Sequence, residues 1–252
     1  MSPSTLPQRQ SLLSPESEAV IAATAGAVAA HADQITACFY PRMFAARPDL
    51  LRVFNQGNQA TGEHSRALAA SVVAYAVQLI DPSAPSFQHV MTRIAYKHVS
   101  LGIRPEQYTI VGNHLMAAIG EVLGDAVTQA VANAWNEVYW LFAIQLIALE
   151  ARLYQQAGVD PANPLRPYRV VRRIDETADV ISLVLEPADG DDLPVIRPGQ
   201  YVSVFVDLPG RRPATAAVHR VVDGLRHSAA DHRPPGARRR RCAGRPGVHL
   251  ST

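Results

Sequence analysis

Apolar positions recur at helical spacing from about residue 14 to residue 155, and then the period changes. Ser14-Pro15-Glu16 reads as a helix start, with a capping hydroxyl, a proline at the first helical position and an early acid. Helix formers run from Glu18 until Pro41, and Pro48 opens a short piece that ends at the loop NQGNQATG. The segment EHSRALAASVVAYAVQLI is amphipathic and stops at DPSAPS. FQHVMTRIAYKHV follows, then a loop closed by Pro105, then EQYTIVGNHLMAAIGEVLG. The last helix is expected over residues 125–156, which makes seven or so helices with short connections. Beyond AGVDPANPLRPY, the stretches YRVVRRIDETADVISLVLEP and GQYVSVFVDL alternate and are rich in Val and Ile, as strands are. From about residue 210 no period persists, and the segment reads as disordered.

Composition adds a division to this pattern. Apolar residues make up 48% of the 252 and charged ones 18%, enough for a real core. The net charge of +2 conceals ten arginines and two aspartates in residues 209–252, a net of +8, against −6 for the rest. The longest apolar run, VYWLFAIQLIALEA, is interrupted at Gln145 and falls short of the about 20 residues a bilayer needs. The first residues carry acids and prolines where a signal sequence would be basic and then apolar, so a cytoplasmic protein is expected. Cys38 and Cys242 are too few for a disulfide framework.

The candidate chemistry lies in the helical part. His98, between Lys97 (the chain's lone lysine) and Val99, ends an apolar-periodic helix and is followed by a loop that lets the next helix swing across. That placement suits an imidazole ligand to a haem iron, which also needs a polar or aromatic gate and an apolar wall. His64 lies on the long preceding helix with Leu68 one turn later, Phe54 ends the short piece, and Phe39-Tyr40 sits near the end of the earlier helix. His89 and His114 are competing ligands, although His89, nine residues before His98, should face elsewhere.

The order and spacing of FYPRMFAARPDLLRVFNQGNQ and KHVSLGIRPEQYTIVGNHL resemble the globin domain of the flavohaemoglobins, the bacterial and fungal nitric oxide dioxygenases. The resemblance spans residues 12–155 and continues through YRVV, LEP and IRPGQYVSVFV. It implies a mainly α chain: a globin fold followed by a partial β barrel of the ferredoxin-reductase, FAD-binding type, and a disordered tail. The expected domains are a haem-binding globin at 1–155, a linker at 156–165, a partial barrel at 166–208 and a basic tail at 209–252. The implied activity is oxidation of nitric oxide by dioxygen to nitrate, on haem b, with electrons from NAD(P)H through FAD.

By the same resemblance His98 is the proximal iron ligand, Tyr108 the proximal tyrosine and Glu150 its partner carboxylate. A carboxylate and a phenol on the far imidazole nitrogen fix the tautomer and make the ring more electron-donating. On the distal side Tyr40 matches the tyrosine that hydrogen-bonds the oxygen ligand, Phe54 the phenylalanine wedged against the ring, and Leu68 the apolar residue over the iron. His64 stands where the family usually has glutamine, and Gln59 lies too close to Phe54 to replace it. It either donates a hydrogen bond to the ligand or binds the iron itself. Tyr201, in RPGQY, matches a tyrosine packed near the flavin.

The resemblance then breaks. The family's Arg-x-Tyr-Ser motif, which holds the flavin phosphate and ring, is absent, and RRPATAAVHRV stands in its place. A reading-frame change near Leu208–Pro213 accounts for the tail's Arg, Ala, Pro, Gly and His, given one lysine against 23 arginines. An authentic basic tail for nucleic acid or an acidic partner is the alternative, and ARRRR lacks the interleaved aromatics that would favour nucleic acid. Electrons would then come from an external reductase. A non-enzymatic globin that binds or senses oxygen or nitric oxide is the other reading. A partial barrel is further expected to leave VSVFV as an open edge strand.

Overall fold

The computed structural model describes residues 11–52, 63–81, 83–192, 202–206, 214–218 and 248–251. Six α-helices lie among them: α1 (Pro15–Ala30), α2 (Ala32–Ala46), α3 (Glu63–Ile80), α4 (Gln88–Leu101), α5 (Pro105–Leu123) and α6 (Gln129–Ala157). Short 3-10 turns at Pro48–Arg52 and Gly124–Ala126 complete the helical part.

The helix starts follow local chemistry. Ser14 caps α1, its hydroxyl accepting from the Ser17 N–H at 3.3 Å, with Pro15 behind it and Glu16 and Glu18 near the positive end of the dipole. Three boundaries differ from the sequence reading, the last helix starting at Gln129 behind a Thr128 cap instead of at residue 125. The run of helix formers breaks at His31, and Pro41 lies inside α2 instead of ending it. Proline there removes one helical N–H bond. Burial of Phe39 and Met43, both 0% exposed, holds the turns on either side of it.

The core runs along the inner faces of all six helices. Trp135 is fully buried at its centre, and its indole N–H reaches the Thr24 hydroxyl at 3.0 Å. On α6 the carboxylate of Glu137 receives the Ser14 N–H at 2.8 Å, the Ser14 hydroxyl at 2.9 Å and the Ser17 hydroxyl at 2.5 Å. The Ser17 hydroxyl above all, helped by both groups of Ser14, holds this carboxyl below its usual range against the opposing effect of burial. A lowered folded-state pKa stabilises the fold above the unfolded value, and that stabilisation is lost as pH falls through the folded value. Glu137→Gln is therefore expected to lower the urea midpoint at pH 7 and to converge with the unmodified protein below about pH 4. A gap that stays constant across this range would contradict the assignment.

After α6 the chain turns at Gly158, whose φ of 65° places it in the left-handed region. Residues 159–165 then lead into five strands: β1 (Arg166–Asp175), β2 (Ile181–Pro187), β3 (Val202–Val206), β4 (Ala214–Val218) and β5 (Val248–Ser251). They form one antiparallel sheet in the order β2-β1-β5-β3-β4. Two expectations change here. The segment after residue 209, read as lacking regular structure, supplies β4 and β5, and its other residues lie outside those described. VSVFV is not an edge strand either. β5 pairs with it on one side and β4 on the other, so its backbone groups are taken up within the sheet. The sheet also meets the helical part directly, where the buried Ser203 hydroxyl lies 3.2 Å from that of Ser100 on α4.

Candidate functional site: the His98 cluster

The last turn of α4 carries His98, and the way that turn ends sets its direction. Gly102 adopts φ 70°, its N–H returns to the Val99 carbonyl, and the Ile103 N–H bonds to the His98 carbonyl, both at 3.0 Å. A side chain at Gly102 would also meet Pro164 at 2.9 Å, so glycine is required by backbone angle and by close approach alike. Pro105 then opens α5, with the Gln107 side chain accepting the Arg104 N–H at 2.8 Å. Tyr108 follows in the first turn.

Three side chains from three helices converge at this corner. The Nδ1 of His98 lies 2.7 Å from Glu150 Oε1 and 2.9 Å from the Tyr108 hydroxyl. The same hydroxyl donates to Glu150 Oε1 at 2.5 Å. Glu150 is 3% exposed by side chain and His98 is 28% exposed, so the carboxylate is shut in while the ring keeps an open edge. Burial, and then the neighbouring Glu150 charge and its hydrogen bond, push the Tyr108 hydroxyl far above its ordinary value. The phenol therefore stays protonated and donates. With the carboxylate accepting from Tyr108 and from Nδ1–H, the imidazole is held in the tautomer whose lone pair sits on Nε2. A neutral imidazole with one nitrogen occupied by a carboxylate and the other free is the donor arrangement of a metal-bound histidine. The residues present thus fit a haem iron at Nε2.

The remaining candidates are placed as follows. Tyr40 on α2 stacks its ring against Phe44 at 5.8 Å and meets Phe39 edge-on at 4.7 Å, and burial pushes its hydroxyl up to about 12. Leu68 on α3 is half-buried against the core. His64 lies on α3 by its backbone, and its side chain is outside the described residues. Phe54 and Tyr201 are outside them entirely. His89 is exposed on α4, half a helical rotation from His98, and His114 is half-buried on α5.

Two tyrosines of α6 that the sequence reading passed over also reach this corner. The Tyr154 hydroxyl donates to the Ile103 carbonyl at 3.1 Å, and the Tyr139 hydroxyl to the Tyr108 carbonyl at 2.5 Å. Positions 139, 150 and 154 fall on one stripe of the helix, separated by 11 and 4 residues. That spacing was the available signal, and it matches an ordinary core stripe equally well.

The six helices have the arrangement of a globin fold. The Globin family model matches residues 37–146. The chain is similar to the flavohemoproteins: it is 44% identical over 202 residues to that of Deinococcus radiodurans, covering 79% of this chain and 50% of the relative. A solved flavohemoglobin from Malassezia yamatoensis, with bound FAD and heme, superposes with a TM-score of 0.70 at 31% identity, covering 95% of this chain and 63% of that one. A bacterial globin from Campylobacter jejuni matches at 28% identity and a TM-score of 0.52, covering 56% of this chain and 99% of its own. The chain spans about half the length of the curated relatives it matches. Among the described residues, no helix is long and apolar enough to cross a membrane.

Proposed function

We propose that this chain binds haem b through His98 Nε2 and carries the oxygen-reactive half of a nitric oxide dioxygenase, acting in the cytoplasm. A haem held there would supply the iron at which nitric oxide, dioxygen and one electron from the reductase give nitrate. The chain's own residues set the conditions. Glu150 holds the ring plane and the tautomer by accepting Nδ1–H, and its charge raises the electron donation of the imidazole. Tyr108 keeps its proton and donates a hydrogen bond to the same carboxylate oxygen, fixing that oxygen in place. By the resemblance, Tyr40 faces the diatomic ligands as a hydroxyl donor, its phenol kept neutral by burial, and Leu68 is the apolar residue beside them.

The observation that carries this reading is the buried carboxylate 2.7 Å from Nδ1. A reversible oxygen carrier does not need a ring polarised in this way. The flavin end stands apart. FAD is bound by the similar flavohemoglobin from Malassezia yamatoensis, NAD(P)H is implied by the sequence resemblance alone, Tyr201 lies outside the described residues, and no Arg-x-Tyr-Ser occurs in the sequence. An external reductase is therefore the electron source in the test. Nitric oxide consumption under oxygen, with NADH and an added flavin reductase, is expected to continue for many turnovers per haem. One stoichiometric burst and no more, with the reductase present, would leave a binding or sensing globin instead.

A further inference from the structure

The Tyr108 phenol can serve His98 only if α5 holds it at the right rotation, and its own helix does not do this alone. The Tyr108 carbonyl receives the Tyr139 hydroxyl at 2.5 Å, both groups being buried. Four residues on, Gly112 presents bare backbone to the Tyr139 ring, and a Cβ there would run into that ring. Tyr139 therefore sits in a slot on α5 that exists because residue 112 is glycine, with its hydroxyl on the peptide that bears Tyr108. The ring is 1% exposed and stands edge-on to Trp140 at 5.6 Å, so it has little freedom to move. Burial pushes the Tyr139 hydroxyl well above its ordinary value, which keeps it a donor.

We propose that Tyr139, seated on Gly112, is a positioning residue for the His98–Tyr108–Glu150 cluster. It clamps the first turn of α5 so that the Tyr108 hydroxyl stays within reach of both Glu150 and the imidazole. The inference rests on the reading of His98 as an iron ligand and extends it to a contact that touches neither the imidazole nor the carboxylate. Without the clamp, α5 rotates or frays at its first turn, where helical N–H groups are least constrained. The phenol then withdraws from the carboxylate and the ring donates less to the metal.

The test uses the haem-loaded full chain and reads the ferrous iron–histidine stretching band by resonance Raman spectroscopy. Tyr108→Phe is expected to move this band to lower frequency. Tyr139→Phe is expected to produce a smaller shift in the same direction, and no further shift when combined with Tyr108→Phe, because both act through one phenol. Gly112→Ala, which displaces the ring but keeps the hydroxyl, is expected to resemble Tyr139→Phe and serves if that variant does not fold. A residue that merely stabilises the fold would lower the melting temperature and leave the band where it was. If Tyr108→Phe moves the band and neither Tyr139→Phe nor Gly112→Ala does, or if the double variant shifts additively, the positioning role is wrong. If Tyr108→Phe itself has no effect on the band, the reading of the whole cluster fails with it.

Discussion

Glu150→Gln is expected to slow nitric oxide turnover by about 10- to 100-fold while haem remains bound. The range equals about 1.4–2.7 kcal/mol of barrier, the usual effect of an outer-shell partner on a ligated histidine. Oε1 serves two donors at once, Nδ1–H at 2.7 Å and the Tyr108 hydroxyl at 2.5 Å. Glutamine keeps the volume and can accept, but without charge it polarises neither group. The variant also removes a buried charge, so the haem-free protein should unfold at a similar or higher temperature. Loss of turnover with intact haem content and unchanged stability separates the electronic role from a structural one. Steady-state consumption of nitric oxide, normalised to haem, checks this. Turnover within twofold of the unmodified protein would show that the carboxylate does not tune the iron.

Much of the helical architecture can be read from single residues. Ser14-Pro15, Pro105 and the glycines at 102 and 158 mark ends that local chemistry dictates. Pro41 misleads for a physical reason, because the missing N–H costs one bond while the burial of Phe39 and Met43 acts on two turns. The break at His31 has no glycine or proline to announce it.

The site divides the same way. His98, Tyr108 and Glu150 meet across separations of 10, 42 and 52 residues, and no periodicity encodes that meeting. Only the family resemblance, carried by motifs such as KHVSLGIRPEQY, groups these three residues. Tyr139 and Tyr154 remained hidden because an aromatic bonded to a distant carbonyl looks, in sequence, like any aromatic packed in a core.

The sheet shows a further limit. VHLS carries too few residues to declare a strand inside an arginine- and proline-rich segment. It becomes β5 because β1 and β3 offer it backbone partners on both sides. The open edge expected at VSVFV is closed by β5 on one side and β4 on the other.

The proposed bond from His98 to the haem iron can be checked by the visible spectrum of His98→Gly, reconstituted with haem, with and without imidazole. Gly at this helical position costs about 1 kcal/mol of stability, small enough to leave the fold standing. Loss of the Soret band of the histidine-bound protein is expected, with its return when imidazole fills the vacated space. A Soret band unchanged by the substitution, with no imidazole present, would contradict it.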